Sequence, residues 1–406
     1  MAAPAFLPYG RQAIDEDDIA AVTAALRADY LTSGPAVETF ERAFAAQVGA
    51  PHAVACNSGT AALHLACIAA GLGAGDRLVV PSMTFVATAN AARFVGAEVQ
   101  FADVDPDTGL LTEATLADAL DQAKRAGRSV KAISAVHLGG RTAPMRALAA
   151  IAQARGLPIV EDACHALGTT HDHASGASAR VGDCRHGTLA TFSFHPVKTM
   201  TVGEGGMVTT KDAEMAARMR LARNHGITRD PGFFQDKAAA LDDNGSVNPW
   251  YYEMHEPGYN YRLPDLLCAL GLSQLAKLER FMQRRRALAA QYEAALAPLA
   301  PLLRTVPPVP DCDPVLHLFA VLIDFEKIGM SRHDFMAGLK QRGIGSQVHY
   351  IPVHRQPYYR DRYGSVSLPG ADAYYRRALS LPLFPSMGDA DVGRVVAALA
   401  ELVKRP

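Results

Sequence analysis

The chain reads as an α/β protein: a large domain on a mainly parallel sheet, then a smaller C-terminal α+β domain. Two observations predict this. Through the first half, short apolar β-rich runs alternate with Ala/Leu-rich helical runs, the pattern of crossover units whose helices cover both faces of a parallel sheet. Later the composition shifts twice, to Gly, Asp, Asn and Pro at Asp230–Trp250 and to proline at Val306–Pro314, marking a long loop and a linker. A length of 406 residues suits two or three domains, and no repeat of solenoid length is visible.

Taken in order, Ala53–Cys56, Leu78–Pro81, Val99–Phe101, Ala132–Val136 and Pro158–Val160 read as buried strands, because each is a short apolar run without polar alternation. Thr60–Ala70, Phe85–Phe94, Leu111–Ala126 and Met145–Arg155 read as the helices between them. Beyond the 230–250 loop, Leu266–Leu296 carries one long helical pattern with a basic face at Arg284–Arg286. Leu318–Asp324, the helix Arg332–Arg342, Gly345–Tyr350 and the helix Asp389–Lys404 make up the smaller domain. The expected division is 1–250, including an N-terminal arm, and 251–406.

Forty basic against forty-one acidic residues leave a formal charge of −1. So balanced a chain lacks the electrostatic footprint of a nucleic-acid binder. The six cysteines form no C-x-x-C pair, which fits neither a zinc ribbon nor a finger and points to reduced thiols. No metal is expected. Met1–Arg11 lacks the charge and apolar pattern of a secretory signal, and the most apolar stretch, Leu78–Ala97, is interrupted by Pro81, Asn90 and Arg93. The expectation is a cytoplasmic protein with no membrane partner.

Four local features carry chemistry. Asn57-Ser58-Gly59-Thr60 follows a strand and opens a helix; free N–H groups and the helix dipole suit such a turn to a phosphate, although Asn, Ser and Thr are also ordinary N-cap residues. In Ile159–Ala166, Asp162 falls at the carboxyl end of an apolar strand, where open α/β sheets place their ligands. It reads equally as a ligand to a ring nitrogen or a simple strand cap. His165 reads as a residue stacking on a flat cofactor or as a satisfied buried histidine. In Thr191–Lys198, Lys198 leaves an aromatic-rich run just before Gly203-Glu204-Gly205-Gly206. A lysine against apolar walls has a lowered pKa and can form a Schiff base; the alternative is a solvated surface lysine. The glycine run lacks the spacing of a dinucleotide fingerprint. Finally, Gly258-Tyr259-Asn260-Tyr261-Arg262 alternates aromatics with Asn and Arg, a composition suited to a phosphorylated ligand or to a polar loop before a helix.

Together with Thr84-Phe85-Val86-Ala87-Thr88, these motifs stand in an order that resembles the sugar aminotransferases of the DegT/DnrJ/EryC1/StrS family, across essentially the whole chain. The resemblance implies a pyridoxal phosphate (PLP)-dependent transferase of fold type I, aspartate aminotransferase-like, and it implies a homodimer with shared active sites. It implies Lys198 as the Schiff-base lysine and Asp162 as partner of the pyridine nitrogen. Ser193 and the Ser58, Gly59 and Thr60 backbone would hold the cofactor phosphate, with Asn260 reaching it from a neighbouring subunit. Phe85 and His165 would sandwich the ring. A narrower resemblance, to the pseudaminic-acid branch, rests on Pro8–Gln12, Leu31–Pro35, His165–Gly168, Trp250–Met254 and Gln347–Val353. It implies a UDP-linked 4-keto sugar as acceptor and L-glutamate, released as 2-oxoglutarate, as donor. Tyr9, Asp29, Tyr30, Leu31, Thr32, Val348, His349, Tyr350 and Ile351, with Gly59, Ser193 and Asn260, would contact the sugar nucleotide. Two departures stand out. Arg141 replaces a more usual Gln, either as a positive charge near the cofactor or as a surface ion-pair partner, and Asp230–Val247 is longer than in some relatives.

Overall fold

The structure is a computed structural model that describes residues 5–172 and 178–403. After helices α1 (Glu16–Leu26) and α2 (Pro35–Val48), strands and helices alternate: β1 (His52–Cys56), α3 (Gly59–Ala69), β2 (Arg77–Pro81), α4 (Val86–Phe94), β3 (Glu98–Ala102), α5 (Glu113–Arg125), β4 (Ala132–Val136), α6 (Met145–Gln153) and β5 (Ile159–Asp162). A short pair, β6 (Thr170–His171) and β7 (Ala179–Arg180), precedes β8 (Leu189–Ser193), β9 (Gly206–Thr210) and α7 (Ala213–Arg223). Seven strands form one sheet in the order β1-β9-β8-β5-β4-β2-β3. The steps from β8 to β3 are parallel, whereas β9 runs antiparallel to both of its neighbours. The five expected strands are all present. They are mostly apolar because helices cover both faces of the sheet, and Val54, Val79, Ile133 and Leu189 are fully buried.

Direction matters more than order. With β9 reversed between them, β1 and β8 point the same way, so six strands bring their carboxyl ends to one edge of the sheet. Cys56, Pro81, Val136, Asp162 and Ser193 all end there, and the loops that follow carry most of the motif residues.

The 230–250 stretch is largely irregular between β10 (Ile227–Thr228) and β11 (Glu253–Met254), with one short helix, α8 (Lys237–Ala240). The long helix expected from 266 to 296 is two helices, α9 (Asp265–Ala276) and α10 (Leu278–Leu296). The break falls at Lys277, whose ammonium pairs with Asp15 and, at 2.7 Å, with Asp18 of α1. That contact lies about 260 residues away in sequence, so periodicity could not reveal it.

The remaining elements are β12 (Leu303–Thr305), β13 (Cys312–Asp313), β14 (Phe319–Ile323), α11 (Phe325–Ile328), α12 (Arg332–Gln341), α13 (Pro357–Tyr363), α14 (Pro369–Arg377), β15 (Ala378–Leu381) and α15 (Asp389–Val403). β12, β14 and β15 form an antiparallel sheet, packed with α10, α12 and α15 around Phe319, Phe335, Leu339 and Leu399. α10 serves two cores: Leu278 and Met282 pack beside the large sheet, and Leu288 to Leu296 pack in this second cluster. The N-terminal arm also joins the second cluster, Leu7 exchanging backbone bonds with Gly343 and Gly345. The proline-rich 306–314 segment is docked rather than a free linker, since β13 pairs with β6. Gly345–Tyr350 forms no strand, only a bridge between Gln347 and Ser380. Among the described residues no helix is long and apolar enough to cross a membrane, and all six cysteines are free.

Candidate active site

At the carboxyl edge of the sheet lies an open cavity of about 380 Å³. Its first wall is the start of α3. Ser58 is the N-cap, its Oγ accepting from the Ala61 N–H at 3.1 Å, and the Ala62 N–H donates to the Ser58 carbonyl. The N–H groups of Gly59 and Thr60 are thus the first-turn donors left for a ligand. The turn is an N-cap, and its two remaining donors are open to an anion. Close approach explains its glycines. A Cβ on Gly59 would lie 2.7 Å from the Ser193 Cβ, and one on Gly206 would lie 2.3 Å from the Ser58 carbonyl oxygen.

Asp162 ends β5 and is 5% exposed. Its Oδ2 accepts from the Thr88 hydroxyl at 2.6 Å, and its Oδ1 accepts from the Cys164 N–H at 3.2 Å. Glu161, the preceding residue of the strand, instead pairs with the buried His137 at 2.9 Å. The connection from β8 to β9 carries Lys198, whose N–H donates to the His195 carbonyl. Lys198 lines the cavity with Asp162, and burial pushes its ammonium below the usual lysine range, favouring the neutral amine.

Across the cavity, His165 Nδ1 accepts from the Gly139 N–H at 3.3 Å. Its proton therefore sits on Nε2, which donates to the Tyr350 hydroxyl at 3.0 Å. Burial, then the Lys198 charge, hold His165 neutral, well below the ordinary histidine range. His317 packs on it with ring centroids 4.6 Å apart. The N-terminal arm delivers Tyr9, whose ring lies 5.4 Å from that of His349. His349 is pushed down to about 4, by burial first and then by Lys198.

Of the residues singled out from sequence, Tyr9, Ser58, Gly59, Thr60, Phe85, Asp162, His165, Ser193, Lys198, His349 and Tyr350 line this one cavity. Asp29, Tyr30, Leu31, Thr32, Val348, Ile351 and Asn260 do not; the first four, Ile351 and Asn260 are exposed. The Asn260 carbonyl does meet the Asn57 side chain at 3.3 Å. Arg141 corrects the expectation. It is neither a surface ion-pair partner nor part of the cavity lining, but 5% exposed, donating to the Val306 carbonyl at 3.3 Å. It ties the proline-rich segment down. Thr84, Thr88, Cys164, Glu204 and His317 line the cavity without having been assigned roles. A lone histidine in the apolar run Val315–Phe319 was the available signal for His317.

A lysine whose charge burial disfavours, a fixed carboxylate and two helix-start N–H groups around one opening suit a phosphorylated carbonyl compound held by an amine. The sequence profile of the DegT/DnrJ/EryC1/StrS aminotransferase family matches residues 12–400, and the chain belongs to this family. It is a sugar aminotransferase of fold type I that uses pyridoxal 5′-phosphate, acting on a nucleotide sugar with an amino donor. Among its relatives is the spore coat polysaccharide biosynthesis protein SpsC of Bacillus subtilis (strain 168), 40% identical over 402 residues, 98% of this chain and 97% of SpsC. Helicobacter pylori PseC, an aminotransferase involved in the biosynthesis of pseudoaminic acid, superposes with a TM-score of 0.85 at 26% identity, covering 98% of this chain and 99% of PseC. Spr1654 of Streptococcus pneumoniae in its PLP form gives a TM-score of 0.85 at 26% identity, over 98% of this chain and 99% of that one.

Proposed function

We propose that the protein moves the amino group of L-glutamate to C4 of UDP-2-acetamido-2,6-dideoxy-β-L-arabino-hex-4-ulose, giving UDP-4-amino-4,6-dideoxy-N-acetyl-β-L-altrosamine. The observation that carries the transfer is that Lys198, whose charge burial disfavours, lines one cavity with Asp162. The sugar rests on the resemblance to the pseudaminic-acid branch and on the likeness to PseC. The higher identity to SpsC favours, as a second reading, another nucleotide-linked 4-keto sugar, GDP- or dTDP-activated.

The residues fit the cofactor: a Cβ on Gly59 would crowd the Ser193 side chain at the cavity wall, and the Gly59 and Thr60 N–H groups open the helix without an intrahelical acceptor. Pyridoxal phosphate, when bound, supplies the covalent attachment point and the electron sink. The Gly59 and Thr60 N–H groups and the Ser193 hydroxyl bind the phosphate. Asp162 holds a proton on the ring nitrogen, while Phe85 and His165 confine the ring. Lys198 Nζ takes the proton from the α-carbon of the amino donor and later delivers one to C4 of the sugar. Tyr9, His349 and Tyr350 orient the sugar nucleotide. Asn260, Asp29–Thr32, Val348 and Ile351 lie off the cavity of their own chain, so in this reading a second copy in a cytoplasmic homodimer brings Asn260 and 29–32 to it.

The visible spectrum of the purified protein tests this. L-glutamate should remove the cofactor band, and the UDP 4-keto sugar should restore it. Restoration only by a GDP- or dTDP-linked sugar overturns the acceptor, and absence of any band with excess cofactor overturns the role of Lys198.

A further inference from the structure

Helix α4 begins beside Asp162, and Thr84, just before its N-cap, lines up with Thr88 in its first turn. Thr84 and Thr88 are four residues apart, each 1% exposed, with their hydroxyl oxygens 2.7 Å apart. Thr88 Oγ1 lies 2.6 Å from Asp162 Oδ2. A hydroxyl has one hydrogen. Both Asp162 oxygens act as acceptors, Oδ1 from the Cys164 N–H and Oδ2 from Thr88, so the Thr88 hydrogen is spent on the carboxylate. Thr84 must then donate to Thr88, which leaves the Thr84 oxygen as an acceptor at the cavity wall. The direction of every bond in the chain is fixed.

We propose that Thr84 and Thr88 form a one-way hydroxyl relay that holds Asp162 as an oriented, charged acceptor, Thr88 being the positioning residue for its contact with the cofactor ring nitrogen. This rests on the assignment of Asp162 to that nitrogen. Three features support it. Bonds to an ionised acceptor are shorter and roughly twice as strong as neutral ones. The β-branched threonine side chain has few rotamers, so the hydroxyl is held in place before the ligand arrives. The N-terminal end of α4 is also the positive end of its dipole, which stabilises a carboxylate there. The same turn presents Phe85, the N-cap of α4, at the cavity, so one helix start orients both the carboxylate and one wall of the ring site.

The test uses the full-length protein stripped of cofactor and titrated with pyridoxal 5′-phosphate. Thr88→Val keeps the shape and removes the donor. It should weaken cofactor binding roughly tenfold or more, whereas Thr88→Ser should stay within about threefold of the parent and Thr84→Val should fall between. The pH at which the visible cofactor band titrates should rise in Thr88→Val and return in Thr88→Ser, because a ring nitrogen that holds its proton less firmly opposes protonation elsewhere on the cofactor less. A purely structural role would not move that midpoint. Thr88→Ala, which only removes atoms, replaces Thr88→Val if valine prevents folding and must show the same losses. Asp162→Asn is the control. If it is strongly impaired while Thr88→Val matches the parent in affinity and midpoint, the relay is wrong; if Asp162→Asn itself matches the parent, the assignment of Asp162 is wrong.

Discussion

The two ends of the cavity are built differently. At the sheet edge, Asp162 and Ser193 end β5 and β8, Ser58 follows β1, and Lys198 lies in the connection from β8 to β9, between strands in fixed register. At the opposite end, Tyr9, His349 and Tyr350 come from an arm and from a segment without strand structure, brought in by the packing of the second core. The first end is rigid because ladder bonds and buried side chains on both faces of the sheet determine it. The second depends on how two cores sit together. The cofactor end should therefore govern chemistry, and the other end should govern which sugar is accepted.

The largest expected effect tests the first half of that contrast. Lys198→Ala should keep its melting temperature and lose turnover by about 10⁴-fold, the upper end for one proton carrier; a single-turnover assay together with far-UV circular dichroism checks both. Asp162→Asn should come next, with turnover lower by about 10²–10³-fold and weaker cofactor binding, measured by titrating stripped protein. Tyr9→Phe and His349→Gln, at the other end, should raise KM for the nucleotide sugar about tenfold and leave cofactor affinity unchanged. If they weaken cofactor binding as strongly as Asp162→Asn does, the two ends are not separable.

Two smaller effects concern the frame. Lys277→Met leaves the 1%-exposed Asp18 without its cation and should cost about 3 kcal/mol in chemical denaturation without altering KM. Acid should loosen the sugar end first. His349 is depressed to about 4, and His165 and His317 are also depressed. The unfolded chain binds protons at these sites below about pH 6.5 while the folded chain does not. Their contribution is thus complete above pH 6.5 and lost as the pH falls towards 4. The melting temperature should decline over that window, and His349→Gln should make the decline shallower.

How much of this was legible follows the same contrast. The five early strands and the helices between them were readable because two-sided burial writes itself as uninterrupted apolar runs, and Asp162 announced itself by ending one of them. Lys198 stood out through its aromatic and glycine neighbours. The break at Lys277 was hidden, since its cause is a pair of carboxylates on α1. Arg141 was misread because local sequence says nothing of a carbonyl on Val306. Thr88 was quoted within a motif, yet its task needs the distance to Asp162.

Local sequence, then, determined the alternation of elements and the N-cap at Ser58, and it singled out Lys198 and Asp162, because periodicity, capping chemistry and strand ends are short-range properties. Tertiary structure alone decided that Tyr9 and Tyr350 line one cavity with Lys198, that the proton of His165 faces Tyr350, and that Thr88 bonds Asp162. Those facts depend on residues tens to hundreds of positions apart, brought together by the packing of the two cores and, for Thr88 and Asp162, by the seating of α4 beside the large sheet.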